Sequence, residues 1–406
     1  MELKSLNALY DEEFKFDEKD KGCFYYTNAV GEINVPGKPP LYCGQAEELP
    51  PYVRSLYERY QTEGVAAPVY TMNVCGVVGM GIGFLIPISN PILKERNDIS
   101  DDWKYKLCEM AAADLAAWLS AYETPDVTVF LGRNTAPEGS EVLVFIPKIR
   151  CEELLGDKCQ LADANMEKVW AKGDEFLAAR LSQSAKLTIA IDGPVAAGKT
   201  TQAKELAKHL GLTYCDTGAM YRGIAVGLDA YRKAPDASLE ETVRDVLPSL
   251  TVEVKSCDGR QVTLLNGKDV TGRLRTEKIS RLASDASAIP EIRAHLLKLQ
   301  RDIASRGGVV MEGRDIGTVV MPDADVKIFL TAPAKVRAKR RYDEHTASDA
   351  VSFDEVLKNL QERDANDMGR ENAPLKQADD AVLLSNAELG IQKTTDAIFD
   401  IILRHM

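Results

Sequence analysis

Nothing in this chain limits its possible folds as strongly as the octapeptide Gly193-Pro194-Val195-Ala196-Ala197-Gly198-Lys199-Thr200. It fits the pattern G-x-x-x-x-G-K-[ST]. The apolar run Leu187 to Ile191 precedes it and reads as a buried parallel strand. The amphipathic stretch Thr201 to Leu210 follows and reads as a helix. In a strand–loop–helix context the loop's backbone N–H groups can cradle phosphate oxygens at the helix N-terminus. Lys199 is then expected to bridge β- and γ-phosphates, and the Thr200 hydroxyl to ligate Mg²⁺. Gly193 to Thr200, with Thr201 behind them, form the candidate ATP-binding segment. The pattern marks a nucleotide-phosphate site and leaves the second substrate open.

Further segments supply candidates for that second substrate. Asp216-Thr217-Gly218-Ala219-Met220-Tyr221-Arg222 follows a second short strand, Leu212 to Cys215. If a helix starts there, Tyr221 and Arg222 face the crevice where an open α/β sheet binds its ligands. An aromatic side chain suits a sugar or base, and a guanidinium suits phosphate. Ser284 to Arg293 reads as a segment preceding a helix. Glu312-Gly313-Arg314-Asp315-Ile316-Gly317 follows the apolar strand Gly308 to Met311. Arg337, Arg340 and Arg341 share one helical face, and Arg363, Asp367 and Arg370 lie about one helix further on. The chain carries a net charge of −12. Arginines gathered beside a phosphate loop in so acidic a chain point to phosphate neutralisation, which phosphoryl transfer requires.

The same charge gives no electrostatic footprint for general nucleic-acid binding. The 406 residues exceed one ordinary core and suit two domains. The division is expected near residues 172–186: an α+β domain over 1–175, a polar linker over 176–185, and a second domain over 186–406. In the first part, Tyr52 to Tyr60 suggests a short helix. Ser100 is placed to cap a longer one bearing Trp103, Leu107, Ala111, Leu115, Trp118 and Tyr122 on its apolar face, ended by Pro125. Strands are expected at Val127 to Leu131 and Val142 to Ile146, with a turn at Gly139-Ser140. Gly79-Met80-Gly81-Ile82-Gly83 has the wrong spacing for a dinucleotide loop and reads as a glycine-rich strand or bend. Arg133-Asn134 reads as a plain turn. The eight cysteines form no CxxC pair, as expected of reduced structural thiols in a cytoplasmic protein. The first residues lack an apolar signal core, and the apolar run Val74 to Ile88, broken by Pro87, is too short to span a bilayer as a helix. No membrane partner is expected.

Taken together, IDGPVAAGKTT, DTGAMYR, LNGKDVTGRLRT, SDASAIPEIR, EGRDIGTVVMPDADVKIFL and ERDANDMGR resemble bacterial cytidylate kinases from about Lys186 to Leu403. The resemblance implies an α/β fold of the P-loop nucleoside monophosphate kinase type, acting as a monomer on ATP and CMP or dCMP with Mg²⁺. It assigns Tyr221, Arg222, Arg314 and Arg370 to the acceptor's phosphate and sugar, and Thr217, where the family has Ser or Thr, to the substrate site. Ser284, Arg293 and Asp315 fall to the cytosine edge, and Arg363 and Asp367 to the ribose. Lys199 and Arg314, with Arg337, Arg340 and Arg341 in a mobile lid over the transferring phosphates, form the catalytic set. The insert from about Thr251 to Ile279 resembles the small sheet these kinases add, with strands at Thr251 to Val254 and Gln261 to Leu265. Cytosine's exocyclic amine suits an acceptor such as Asp315, and its ring nitrogen and carbonyl suit donors such as Arg293 and Ser284. Uracil would leave Asp315 facing another acceptor, which favours CMP over UMP. No general base is assigned. Where the family carries more glycine or serine in the phosphate loop, this chain has Val195, Ala196 and Ala197. The alternatives are a kinase of the same fold acting on UMP or dTMP, and a nucleotide-sensing scaffold whose kinase half only binds.

Overall fold

The computed structural model describes residues 32–33, 41–42, 69–74, 77–119, 128–132, 139–147, 163–232, 238–257, 260–343 and 352–406. The expectations for Tyr52 to Tyr60, Tyr122, Pro125 and Arg133-Asn134 lie outside them. The chain divides into two compact units, Met1–Ser182 and Gln183–Met406.

In the first unit, β1 (Glu32–Ile33) and β2 (Leu41–Tyr42) form a short antiparallel pair. β3 (Val69–Val74), β4 (Val77–Pro87), β5 (Thr128–Gly132) and β6 (Gly139–Pro147) form an antiparallel sheet in the order β3-β4-β6-β5. Gly79, Gly81 and Gly83 all lie in β4, as a glycine-rich strand. Gly139 and Ser140 begin β6 rather than forming a turn, because both pair with the end of β4. After the short helix α1 (Pro91–Lys94), α2 (Asp101–Leu119) starts where the Ser100 hydroxyl accepts the Trp103 N–H at 3.2 Å. Trp103, Leu107, Ala111 and Leu115 are buried along α2, the i, i+4 stripe that packs on β4, β5 and β6. The expected polar linker is instead part of α3 (Asp163–Ser184), whose helix continues to Ser184. One face of it is held in place: Asp174 accepts from Asn90 at 2.7 Å, Leu177 is buried, and Arg180 grips Asp114 through two bonds of 2.7 and 2.8 Å.

The second unit is a five-stranded parallel sheet in the order β14-β13-β7-β12-β8. Its strands are β7 (Thr188–Asp192), β8 (Thr213–Asp216), β12 (Val309–Gly313), β13 (Val326–Thr331) and β14 (Val382–Ser385). The central three are nearly continuous buried apolar runs, as a sheet covered on both faces requires. α5 (Thr217–Tyr231) starts directly at the carboxyl end of β8, and α4 (Lys199–Leu210) follows β7 after the loop over 193–198. α6 (Leu239–Val246) is held by a Ser238–Glu241 capping box. β9 (Val252–Cys257), β10 (Arg260–Leu265) and β11 (Lys268–Asp269) form the small antiparallel sheet expected of the insert. α7 (Glu277–Ala286) and α8 (Pro290–Ala304) follow. Ser284 and Arg293 therefore lie inside helices: Thr276 caps one early, and Pro290 opens the other. A π-turn at Ile316–Val320 follows β12. α9 (Ala334–Asp343), α10 (Phe353–Met368) and α11 (Ile391–Leu403) complete the unit.

Candidate active site

The loop between β7 and α4 owes its shape to two glycines. Gly193 has φ +149°, and a Cβ there would come within 2.0 Å of the Leu330 carbonyl oxygen. Gly198, at φ +91°, turns the chain into α4. Ala196 adopts φ +58° without that freedom, a conformation costing about 1–2 kcal/mol for an L-residue. The loop's carbonyls are held from behind. Lys199 Nζ donates to the Gly193 and Pro194 oxygens, both at 2.8 Å. Arg337 donates to the Val195 oxygen at 2.9 Å, and Asn386 Nδ2 to the Ala197 oxygen at 2.9 Å. The first N–H groups of α4 have no partner within the helix and border a cavity of about 480 Å³. Gly198, Thr201, Arg340, Asn386, Ile391 and Thr394 are among its walls.

Oxygen ligands lie beneath the loop. Thr200 donates to Glu312 at 3.0 Å, and Tyr214 donates to the other Glu312 oxygen at 2.7 Å. Burial, and then Asp216, push the Glu312 carboxyl above its ordinary value. Asp192, at the end of β7, accepts the Ile316 and Gly317 N–H groups at 2.8 and 2.7 Å. Burial raises it to about 6 against those two bonds. Burial also holds the Lys199 ammonium well below the ordinary lysine value; Arg314 adds to this, while Glu312, Asp192 and Asp367 oppose it. Among the described residues no group of three His, Cys, Asp or Glu side chains could hold a metal on its own.

The predicted acceptor residues converge from five segments. Asp216 caps α5 through the Ala219 N–H at 2.9 Å and pairs with Arg222 at 2.7 Å. Thr217, buried, donates to the Glu312 carbonyl at 2.8 Å. Arg314 donates to Asp367 at 2.7 Å, and Arg370 pairs with the other Asp367 oxygen. Arg293 pairs with buried Asp315, and its guanidinium lies 5.8 Å from the centre of the Tyr221 ring. Burial raises the Asp315 carboxyl, while Arg293, Arg370 and Arg314 pull the other way. Arg363 has no hydrogen bond or ion pair among the described residues. Desolvation lowers its pKa, and the charges of Arg314, Arg341 and Arg222 add to the effect. The buried Nε of Arg222 also lacks a partner.

The lid arginines do not act as one face. Arg337 is buried under the loop, bonded to Ala332 and Val195 carbonyls and to Asp364 at 2.7 Å. Arg340 grips Asn386 through its side-chain and main-chain oxygens at 3.0 and 2.7 Å. Arg341 is exposed, its charge felt at Arg363. The Ser284 hydroxyl is not brought into this network; its carbonyl accepts from Ser287 Oγ at 2.7 Å, and it is Ser287 that accepts from Arg370 at 2.9 Å. Sequence reasoning passed over Asp192, Tyr214, Gln261, Ser287, Glu312, Asp364 and Asn386. Asp192 and Glu312 at least carried a signal, since both stand at strand carboxyl ends beside chosen residues.

Residues 189–404 match the family model described as cytidylate kinase. The chain is 44% identical over 217 residues to a cytidylate kinase of Caldicellulosiruptor saccharolyticus, covering 53% of this chain and 95% of that one. It is 45% identical over 220 residues to a cytidylate kinase of Carboxydothermus hydrogenoformans, covering 54% and 98%. For a cytidylate kinase of Flavobacterium psychrophilum the figures are 43% over 221 residues, covering 53% and 98%. With a parallel sheet, a glycine-shaped phosphate loop and these relatives all meeting in its second unit, the chain belongs to the cytidylate kinase family.

Proposed function

We propose that the second unit transfers the γ-phosphoryl group of ATP to CMP or dCMP, giving ADP and CDP or dCDP. The observation that carries this reading is the position of Arg314. It follows Gly313, the β12 residue paired with Asp192 at the entry to the phosphate loop, and its Nε donates to Asp367 at 2.7 Å beside Arg370, so one guanidinium stands between the phosphate loop and the acceptor side chains. The bond that forms joins an acceptor phosphate oxygen to Pγ, and the bond that breaks joins Pγ to the β–γ bridging oxygen. A nucleotide phosphate with a second pKa of about 6 arrives already deprotonated, so the transfer needs no strong general base. Lys199 turns from the Gly193 and Pro194 carbonyls toward the donor phosphates, whose negative charge favours its ammonium form. Arg314 and Arg363, with Arg341, balance charge on the transferring group, and Arg222 holds the acceptor phosphate. Arg340 and Asn386 wall the donor nucleotide, and Arg337 keeps the loop in shape from behind.

Mg²⁺ fits the oxygen ligands available: the Thr200 hydroxyl, backed by the Glu312 carboxylate, would hold it together with the nucleotide's own phosphates and waters. When bound, the ion neutralises charge across the β- and γ-phosphates. On the acceptor side Asp315 accepts from the cytosine amine and Arg293 donates to the base, while Tyr221 backs the nucleoside. Asp367 and Arg370 hold the sugar end. ADP release measured across CMP, dCMP, UMP and dTMP tests the reading. Highest kcat/KM with CMP or dCMP is expected; a preference for UMP or dTMP, or no turnover of CMP, would overturn it.

A further inference from the structure

The inner parallel sheet ends at β8, an edge strand whose outward N–H and C=O groups have no neighbouring strand among the described residues. Within a strand, the N–H and C=O of one residue point to the same side. At Asp216 that side is filled by a single side chain from the small insert sheet. Gln261, on β10, accepts the Asp216 N–H at 2.7 Å and donates its own amide to the Asp216 carbonyl at 3.1 Å. Its carboxamide stands in for the peptide group of a missing strand. Only a primary amide supplies a donor and an acceptor this way.

Asp216 is a sensitive place for such a clasp. Its side chain caps α5 with one oxygen and holds Arg222 with the other. A Cβ added to Gly218 would lie 2.9 Å from Arg222 Nη1 and 3.0 Å from Asp216 Oδ1, so the pair has little slack. Arg222 in turn presents a buried, unpartnered Nε beside the other acceptor arginines. β10 also touches the helix bearing Arg222, since a Cβ at Gly223 would meet Thr263 Cγ2 at 3.2 Å. We infer that Gln261 is a positioning residue for the acceptor phosphate: it fixes the backbone of Asp216, which aims Arg222. The inference rests on the CMP-kinase reading above.

The test is steady-state kinetics of the full chain and its Gln261→Ala and isosteric Gln261→Glu variants. Loss of two partly buried hydrogen bonds that aim a charged group is expected to raise the KM for CMP about five- to thirtyfold. The KM for ATP should be unchanged, with kcat held within about threefold. Gln261→Glu cannot donate to the Asp216 carbonyl and sets a carboxylate beside Asp216, so its rise should be at least as large. In an Arg222→Gln background the Gln261→Ala effect should largely vanish, because the two act on one contact. Unchanged KM for CMP, equal increases for both substrates, or multiplicative effects in the double variant would each overturn the inference while leaving the CMP-kinase reading intact. Absence of CMP turnover by the wild type would overturn that reading, and this one with it.

Discussion

The donor and acceptor sides of the site are built from different materials. On the donor side the groups are mostly main chain. Lys199, Arg337 and Asn386 secure loop carbonyls, and the loop's N–H groups lie at the start of α4. On the acceptor side the groups are side-chain ion pairs: Asp216 with Arg222, Asp315 with Arg293, and Asp367 with Arg314 and Arg370. A main-chain cradle recognises phosphate and is indifferent to most of the nucleotide. Paired carboxylates and guanidiniums can be exchanged for substrate groups one by one, so they read identity. The donor side should therefore govern rate, and the acceptor side should govern affinity and choice.

The largest expected effect tests the first half of that contrast. Lys199→Ala removes the cation that faces the transferring phosphates, and kcat should fall by about 10²–10³ with little change in the KM for CMP. A fall of less than tenfold would mean that the loop alone supplies the rate. The second half is sharpened by Asp315→Asn, since a carboxamide can offer either a donor or an acceptor to the base. The kcat/KM preference for CMP over UMP should shrink by about ten- to a hundredfold, mainly through loss with CMP. An unchanged ratio would remove Asp315 from base selection.

The contrast also accounts for what the sequence made legible. The strand, loop and helix around Gly193 to Thr200 are written in local spacing, because backbone geometry there depends on neighbours a few residues away. The helix over Asp101–Leu119 was equally readable, from its cap and its apolar stripe. The acceptor arginines were legible only as a concentration of charge and through a family resemblance, and the structure brings them together from segments far apart in the chain. What stayed hidden are residues whose partners are remote: Gln261 and Asp216 are 45 positions apart, Asp364 and Val195 169, and Asn386 and Ala197 189. No local pattern distinguishes such a glutamine or asparagine from a surface one. The polar stretch at residues 176–185 misleads for the same reason, since Arg180 is bonded to Asp114, 66 positions earlier.

Both sides serve one continuous phosphate path with Arg314 between them. Inhibition by adenosine and cytidine joined 5′ to 5′ through five phosphates tests this directly, because such a molecule must occupy both sides at once. Inhibition is expected to be competitive with ATP and with CMP, at least about a hundredfold tighter than the KM of either substrate. Inhibition competitive with ATP alone, no tighter than ADP, would contradict it.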